Sequence, residues 1–148
     1  MQLILFCGVQ ASGKSTFYQK YFYQTHLRLN LDMLKTRHRE HILFQAALES
    51  KTKIVIDNTN PSREARARYI QLAQEKNFDI VAYYFSTDLK SALQRNRQRV
   101  GKANIPEIGL RATYKKLEIP KVTEGFSEVF QVQIVDGQQF SIQLLEAV

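Results

Sequence analysis

The chain has 148 residues, enough for one real core and too few for a second. Hydrophobic residues make up 44%, within the globular range, and 21 Lys and Arg against 14 Asp and Glu leave a formal net charge of +7. No apolar stretch approaches the roughly 20 residues of a membrane span, so a cytoplasmic protein without a membrane role is expected, with an acidic partner such as nucleic acid.

In chain order, Leu3 to Cys7 is a nearly continuous apolar run, as in a strand buried on both faces of a parallel sheet. A helix is expected from Ser15 to about Tyr23, and a short strand over 27–31. Asp32 reads as a helix N-cap. Leu34, His38, Ile42 and Leu48 supply helical spacing from there to about Glu49. Lys53 to Asp57 reads as a third strand. Pro61 suits the first position of a helix running to about Lys76. Asp79 to Phe85 is a fourth strand, and Leu89 to Arg99 a helix. A basic loop with Gly101 and Pro106 leads to a helix from Glu107 to about Leu117. Val129 to Val135 alternates and reads as an edge strand. The last dozen residues fit either a helix or the return strand of a hairpin turning at Asp136-Gly137. Repeated strand–helix units imply an α/β fold of three layers, a mainly parallel sheet flanked by helices. Ligands then bind at the carboxyl ends of the strands, where the loop after Phe6, Asp32 and Asp57 all fall. The single cysteine, Cys7, cannot form an internal disulfide and is expected to be a packed structural residue.

Residues 8–15, Gly-Val-Gln-Ala-Ser-Gly-Lys-Ser, match G-x-x-x-x-G-K-[ST] at every fixed position. Gly8 lets the chain leave the strand sharply. Gly13 lets the backbone curl until its N–H groups face a phosphate, and the following helix adds its positive end. Gly8, Ala11, Ser12, Gly13, Lys14, Ser15 and Thr16 are therefore expected to cradle ATP or another NTP, with Lys14 on the β and γ phosphates and the Ser15 hydroxyl on Mg²⁺.

Motors, switch GTPases and kinases share this loop. The chain has no N-K-x-D base-reading motif, and an AAA-type ATPase is longer. A small kinase needs an acceptor base, an acid near the metal, and a mobile arginine. Asp32 is placed to orient an attacking hydroxyl and accept its proton, a role compatible with capping. Asp57 follows three apolar residues and is a candidate beside Mg²⁺ or the acceptor, or else a turn residue. Arg95, Arg97 and Arg99 fall two apart and cannot share one helix face. Arg99 lies nearest Gly101, in a segment of about 95–120 that reads as a lid. Nine Lys or Arg (90, 95, 97, 99, 102, 111, 115, 116 and 121) against two acids between Lys90 and Lys121 favour a phosphate-facing surface.

The chain resembles the polynucleotide 5′-kinases of the phage type, within the broader group of small P-loop kinases. The resemblance rests on G-x-Q-A-S-G-K-S-T, N-x-D at 30–32, I-D-N-T-N-P at 56–61, R-N-R-Q-R at 95–99 and a lid ending at Ile105-Pro106. It covers nearly the whole chain and implies a single P-loop kinase domain over 1–148. It implies that Lys14 and Ser15 bind ATP phosphates and Mg²⁺, that Asp32 is the general base on a 5′-hydroxyl, that Arg95 and Arg99 serve the nucleotide and Arg99 reaches the transferring phosphate, and that Asp57 lies near the acceptor. The acceptors implied are 5′-hydroxyl ends of DNA or RNA; no oligomeric state is implied. Family members often carry R-D-D around the base and an arginine three residues later on the acceptor's 3′ phosphate. Here Leu31 and Met33 flank Asp32, and the later position is Lys35, a point charge without the bidentate fork; Arg37 and Arg39 stand nearby. The phosphatase and ligase domains of some members are absent from this sequence. A kinase of a small hydroxyl compound, such as a sugar, nucleoside or antibiotic, and a nucleotide-dependent binding module are the other readings of the same residues.

Overall fold

Leu3 and Leu5 enter one hydrophobic cluster, and Ile4 and Phe6 enter another, so alternate residues of the first strand fill two separate cores. The computed structural model describes residues 1–101, 104–136 and 139–148. Lys102 of the basic run and Gly137 of the expected turn lie outside the described residues.

The elements are β1 (Gln2–Cys7), α1 (Lys14–Tyr21), β2 (Leu27–Leu29), α2 (Leu31–Leu34), α3 (Arg37–Glu49), β3 (Ile54–Ile56), α4 (Arg63–Glu75), β4 (Asp79–Phe85), α5 (Leu89–Gln98), α6 (Glu107–Lys116), a 3₁₀ turn (Val122–Glu124), β5 (Glu128–Val135) and β6 (Gln139–Ala147). The strands form one sheet in the order β2-β3-β1-β4-β5-β6. All neighbours pair in parallel except β5 and β6, which pair antiparallel. This is the mainly parallel, helix-flanked sheet that the sequence implies. β1 lies between β3 and β4, so the order reverses at its carboxyl end, where a ligand crevice opens in such sheets.

One face packs Phe44, Ala47 and Leu48 of α3 and Tyr69, Ile70 and Ala73 of α4 against Leu3, Leu5, Ile54, Ile56, Ile80 and Ala82. The other face is aromatic: Phe6, Phe17 of α1 and Phe85 pack edge-on with centroids 4.9–5.9 Å apart. A third cluster, Val9 with Ala92, Leu93 and Leu110, seats α5 and α6 against the loop after β1.

Several expectations change. The helix read from Asp32 to Glu49 is two helices, broken at Lys35, whose φ is 77°. The caps are Asn30, accepting from the Met33 amide, and Thr36, accepting from the Arg39 amide, so Asp32 is not a cap. The buried face of α3 carries Glu40, Phe44, Ala47 and Leu48, whereas His38 and Ile42 are exposed: the break resets the helical phase. Pro61 precedes α4 without opening it, because Ser62 is its N-cap. β5 is not an edge strand. Of the last dozen residues, Gln139–Ala147 form β6, which covers it and takes the edge.

Candidate active site

The loop after β1 gets its shape from three residues. A Cβ on Gly8 would sit 2.8 Å from the Phe85 Cβ, so glycine is required there by the close approach of the end of β4 rather than by a left-handed turn. The turning is done by Ala11 (φ 61°) and Gly13 (φ 97°). Gly13 caps α1, whose first turn holds no acid, so the positive helix end is left for a ligand. Ser12 is buried and donates its hydroxyl to the Val9 carbonyl at 2.7 Å, holding the loop closed.

Lys14 folds back over this loop. Its Nζ donates to the carbonyls of Gly8 (2.9 Å) and Val9 (2.6 Å). Burial pushes its pKa down from 10.5 to about 8. Asp57 and Asp32 hold the charge on it, and Arg99 opposes it. The carbonyl partners keep the ammonium beside the phosphate position without a carboxylate bound to it.

A cavity of about 240 Å³ opens over Lys14 and Ser15 and is lined also by Asp32, Asp57, Asn58 and Arg99. Five separate segments meet there: the loop after β1, the start of α2, the end of β3, the end of α5, and Ile105 just before α6. Asp57 is 1% exposed, and its Oδ2 accepts from Ser15 Oγ (3.1 Å) and from Arg28 Nε (2.8 Å). Asp32 is exposed in the first turn of α2 and reaches the cavity unencumbered by capping. Lys35 stands at the α2–α3 break and is not in the wall.

A second cavity, about 500 Å³, adjoins the first through Ala11 and Arg99. Thr16, Arg95, Ile134 and Phe140 line it, giving an apolar wall from the β5–β6 pair opposite a charged wall from α5. Its place beside the phosphate loop suits the base and sugar of a nucleotide. Arg95 Nη1 donates to Thr87 Oγ1 (3.2 Å) and the Ala11 carbonyl (3.4 Å). Arg97 turns away, to Glu107 at 2.8 Å, so the three arginines do not share one face, while Arg95 and Arg99 line the same cavity. Cys7 takes no part. It is fully buried, and burial pushes its thiol up to about 11.

Sequence reasoning missed Arg28, Asn58 and Asn60. Arg28 bridges Asp57 and Ser15, its Nη2 donating to Ser15 Oγ at 3.0 Å. Asn58 Oδ1 accepts the Leu31 amide at 2.9 Å, and Asn60 Nδ2 donates to the Phe6 carbonyl at 2.8 Å. The run Asn58-Thr59-Asn60 after Asp57 was the available signal, because asparagines beside a strand end hold neighbouring backbone.

Ser15 Oγ and Asp57 Oδ2 are oxygen donors 3.1 Å apart at the phosphate loop. They fit Mg²⁺, which takes one or two protein oxygens and completes its shell with phosphate and water. Among the described residues no three His, Cys, Asp or Glu side chains gather as a metal site of their own. No helix among the described residues is long and apolar enough to cross a membrane.

Residues 33–120 match the family model described as an AAA domain. The bifunctional polynucleotide phosphatase/kinase of Schizosaccharomyces pombe is 31% identical over 135 residues, which take in 88% of this chain and 33% of that protein. The L-seryl-tRNA(Sec) kinase of Methanococcus maripaludis is 28% identical over 138 residues, 80% of this chain and 53% of that one. The chain thus spans about a third to a half of the length of these relatives. Among solved structures, Chaetomium thermophilum Kti12 in complex with ADP-AlF3 superposes with a TM-score of 0.70 at 16% identity, covering 92% of both chains. That likeness is one of fold.

Proposed function

The chain belongs to the AAA domain family and has the fold of a small P-loop kinase, and on that premise we propose that it transfers the γ-phosphate of ATP to the 5′-hydroxyl end of DNA or RNA. The observation that carries the proposal is the single cavity lined by Lys14, Ser15, Asp32, Asp57 and Arg99. A donor-binding loop, two acids with different surroundings and an arginine are what phosphoryl transfer to a hydroxyl requires. The likeness to the phosphatase/kinase of S. pombe supports the polynucleotide acceptor.

In this reading the whole chain, 1–148, acts as one kinase domain with residues of about 95–120 as its lid. The loop amides from Gly8 to Thr16 and the Lys14 ammonium hold the β and γ phosphates. Arg95 and Arg99 line the donor side. Ser15 and Asp57 hold Mg²⁺, which when bound neutralises phosphate charge. Asp32 orients the acceptor hydroxyl. As the new O–P bond forms, the bond between the γ-phosphorus and the bridging oxygen breaks, ADP departs, and the hydroxyl proton passes to the Asp32 carboxylate. Arg99 meets the charge that spreads over the transferring group.

Incubation with γ-labelled ATP and a 5′-hydroxyl oligonucleotide tests this. Label appears on the strand with the wild type and not with Lys14→Ala or Asp32→Ala. Labelling of no DNA or RNA end rejects the acceptor assignment. A second reading, transfer to a hydroxyl on a smaller compound, draws on Lys35 where an arginine is expected. Consumption of ATP with small hydroxyl compounds, and none with oligonucleotides, selects it.

A further inference from the structure

A second charged cluster lies on the β2–β3 half of the sheet, opposite the half that carries the larger cavity. Its centre is Glu40, fully buried in the first turn of α3. Glu40 Oε1 accepts from the Tyr69 hydroxyl (2.6 Å), Arg68 Nη2 (2.9 Å) and Arg37 Nη1 (3.3 Å), and Oε2 accepts from Asn58 Nδ2 (2.8 Å). Burial, and then the bond to Glu40, push the Tyr69 phenol up, so it stays a protonated donor.

One carboxylate holds two guanidiniums, so this group keeps a net positive charge. Both arginines remain open to solvent, Arg37 at 61% and Arg68 at 46%. Arg37 also sits at the N-terminus of a 13-residue helix, where the helix's own positive end disfavours a cation. Two guanidiniums anchored on a buried acid and a tyrosine, each with donors left over and open to solvent, are groups of the kind that bind phosphate oxygens.

The cluster is tied to the transfer cavity by one side chain. Asn58 lines that cavity, accepts the amide of Leu31 next to Asp32, and donates to Glu40. The arginine pair therefore stands just beyond the acceptor wall. We infer that Arg37 and Arg68 form an anion site for a backbone phosphate of the acceptor strand lying outside the transfer cavity. The acceptor is then a polymer, and a free nucleoside lacks the group this site takes. The inference rests on the polynucleotide reading above, so its test reads binding separately from transfer.

A single-stranded 12-mer with a 5′-hydroxyl and a 3′ dye is titrated by fluorescence anisotropy at several salt concentrations, and the same strand is used in the transfer assay. Arg37→Ala/Arg68→Ala should weaken strand binding about tenfold or more. It should also lower the magnitude of the salt slope by about 0.7, the contribution of one neutralised phosphate on a single strand. In transfer, KM for the strand should rise while kcat, KM for ATP and the rate on an unphosphorylated nucleoside hold. Arg37→Gln/Arg68→Gln, which keeps donors on Glu40, should behave alike and guards against misfolding. If the wild type binds the strand but transfers nothing, and the variants lose that binding, the anion site stands and the kinase reading falls. The site is overturned if the wild type does not bind the strand. It is equally overturned if both variants bind with unchanged affinity and slope, or if the charge-matched Lys20→Ala/Lys53→Ala loses as much.

Discussion

Ser15 and Asp57, 42 residues apart in sequence, share a hydrogen bond of 3.1 Å, and Arg28 bonds to both. Arg28 therefore covers the oxygen pair proposed for Mg²⁺, with Tyr18 stacked 5.8 Å from its guanidinium. Arg28→Ala should destabilise the nucleotide-free protein by about 1–2 kcal/mol, because a buried carboxylate loses its cation while its other bonds remain. Mg²⁺ with ATP should recover most of that loss, as read by urea denaturation. Equal destabilisation with and without Mg²⁺ and ATP argues against the exchange. Asp57→Asn should raise the Mg²⁺ needed for half-maximal turnover at least about tenfold.

On the proposed function, Lys14 should make nucleotide binding pH-dependent. Its pKa in the folded, empty protein is about 8, against an ordinary 10.5. Below about 8 it is charged in folded and unfolded chains alike, and the burial penalty is present in full. Between about 8 and 10.5 the unfolded chain holds more protons, so the stability of the empty protein gains with rising pH. ATP needs the ammonium, so its affinity should fall toward tenfold per pH unit above about 8. Calorimetric titration at pH 7, 8 and 9 checks this. The Lys14→Met variant should show neither trend.

Asp32, proposed to serve transfer, and Asn30, which caps α2, can be separated by mutation. Asp32→Asn should lower kcat by about 10²–10⁴ while unfolding free energy moves by less than about 0.5 kcal/mol. Asn30→Ala should cost about 1 kcal/mol or more, since Asn30 both caps α2 and donates to the Asp57 carbonyl at 2.6 Å. A stability loss in Asp32→Asn equal to that in Asn30→Ala would restore the capping role to Asp32.

Behind the phosphate loop, Arg66 and Glu124 form a bidentate pair, 0% and 4% exposed. Arg66 also donates to the carbonyls of Asn60 and Pro61, so the pair joins the strand-end loop to the 3₁₀ turn. Glu124→Ala leaves a buried guanidinium without its anion and should cost about 3–5 kcal/mol in urea unfolding. A loss below 1 kcal/mol would mean that water reaches Arg66.

Local patterns carried much of this. The strand runs at 3–7, 53–57 and 79–85 announce themselves because a strand covered on both faces is apolar throughout. The phosphate loop is contiguous, so eight adjacent residues state its geometry. The break at Lys35 was hidden: a lysine in the left-handed region has no signature, and helical spacing read across it put His38 and Ile42 on the buried side. β5 looked like an edge because it alternates apolar and polar residues; the strand that covers it, β6, is itself largely exposed.

By itself, then, the sequence determined the alternation of strands and helices, the donor loop, and which acids end which strands, since each depends on neighbours within a few residues. The tertiary structure decided the company those acids keep. Parallel pairing of Leu29 with Ile56 sets Arg28 against Asp57, and the packing of α3 beside α4 sets Arg68 and Tyr69 on Glu40. The contacts of Arg28 with Asp57 and of Arg68 and Tyr69 with Glu40 span 28 or 29 residues and depend on strand register and helix packing, which no local window contains.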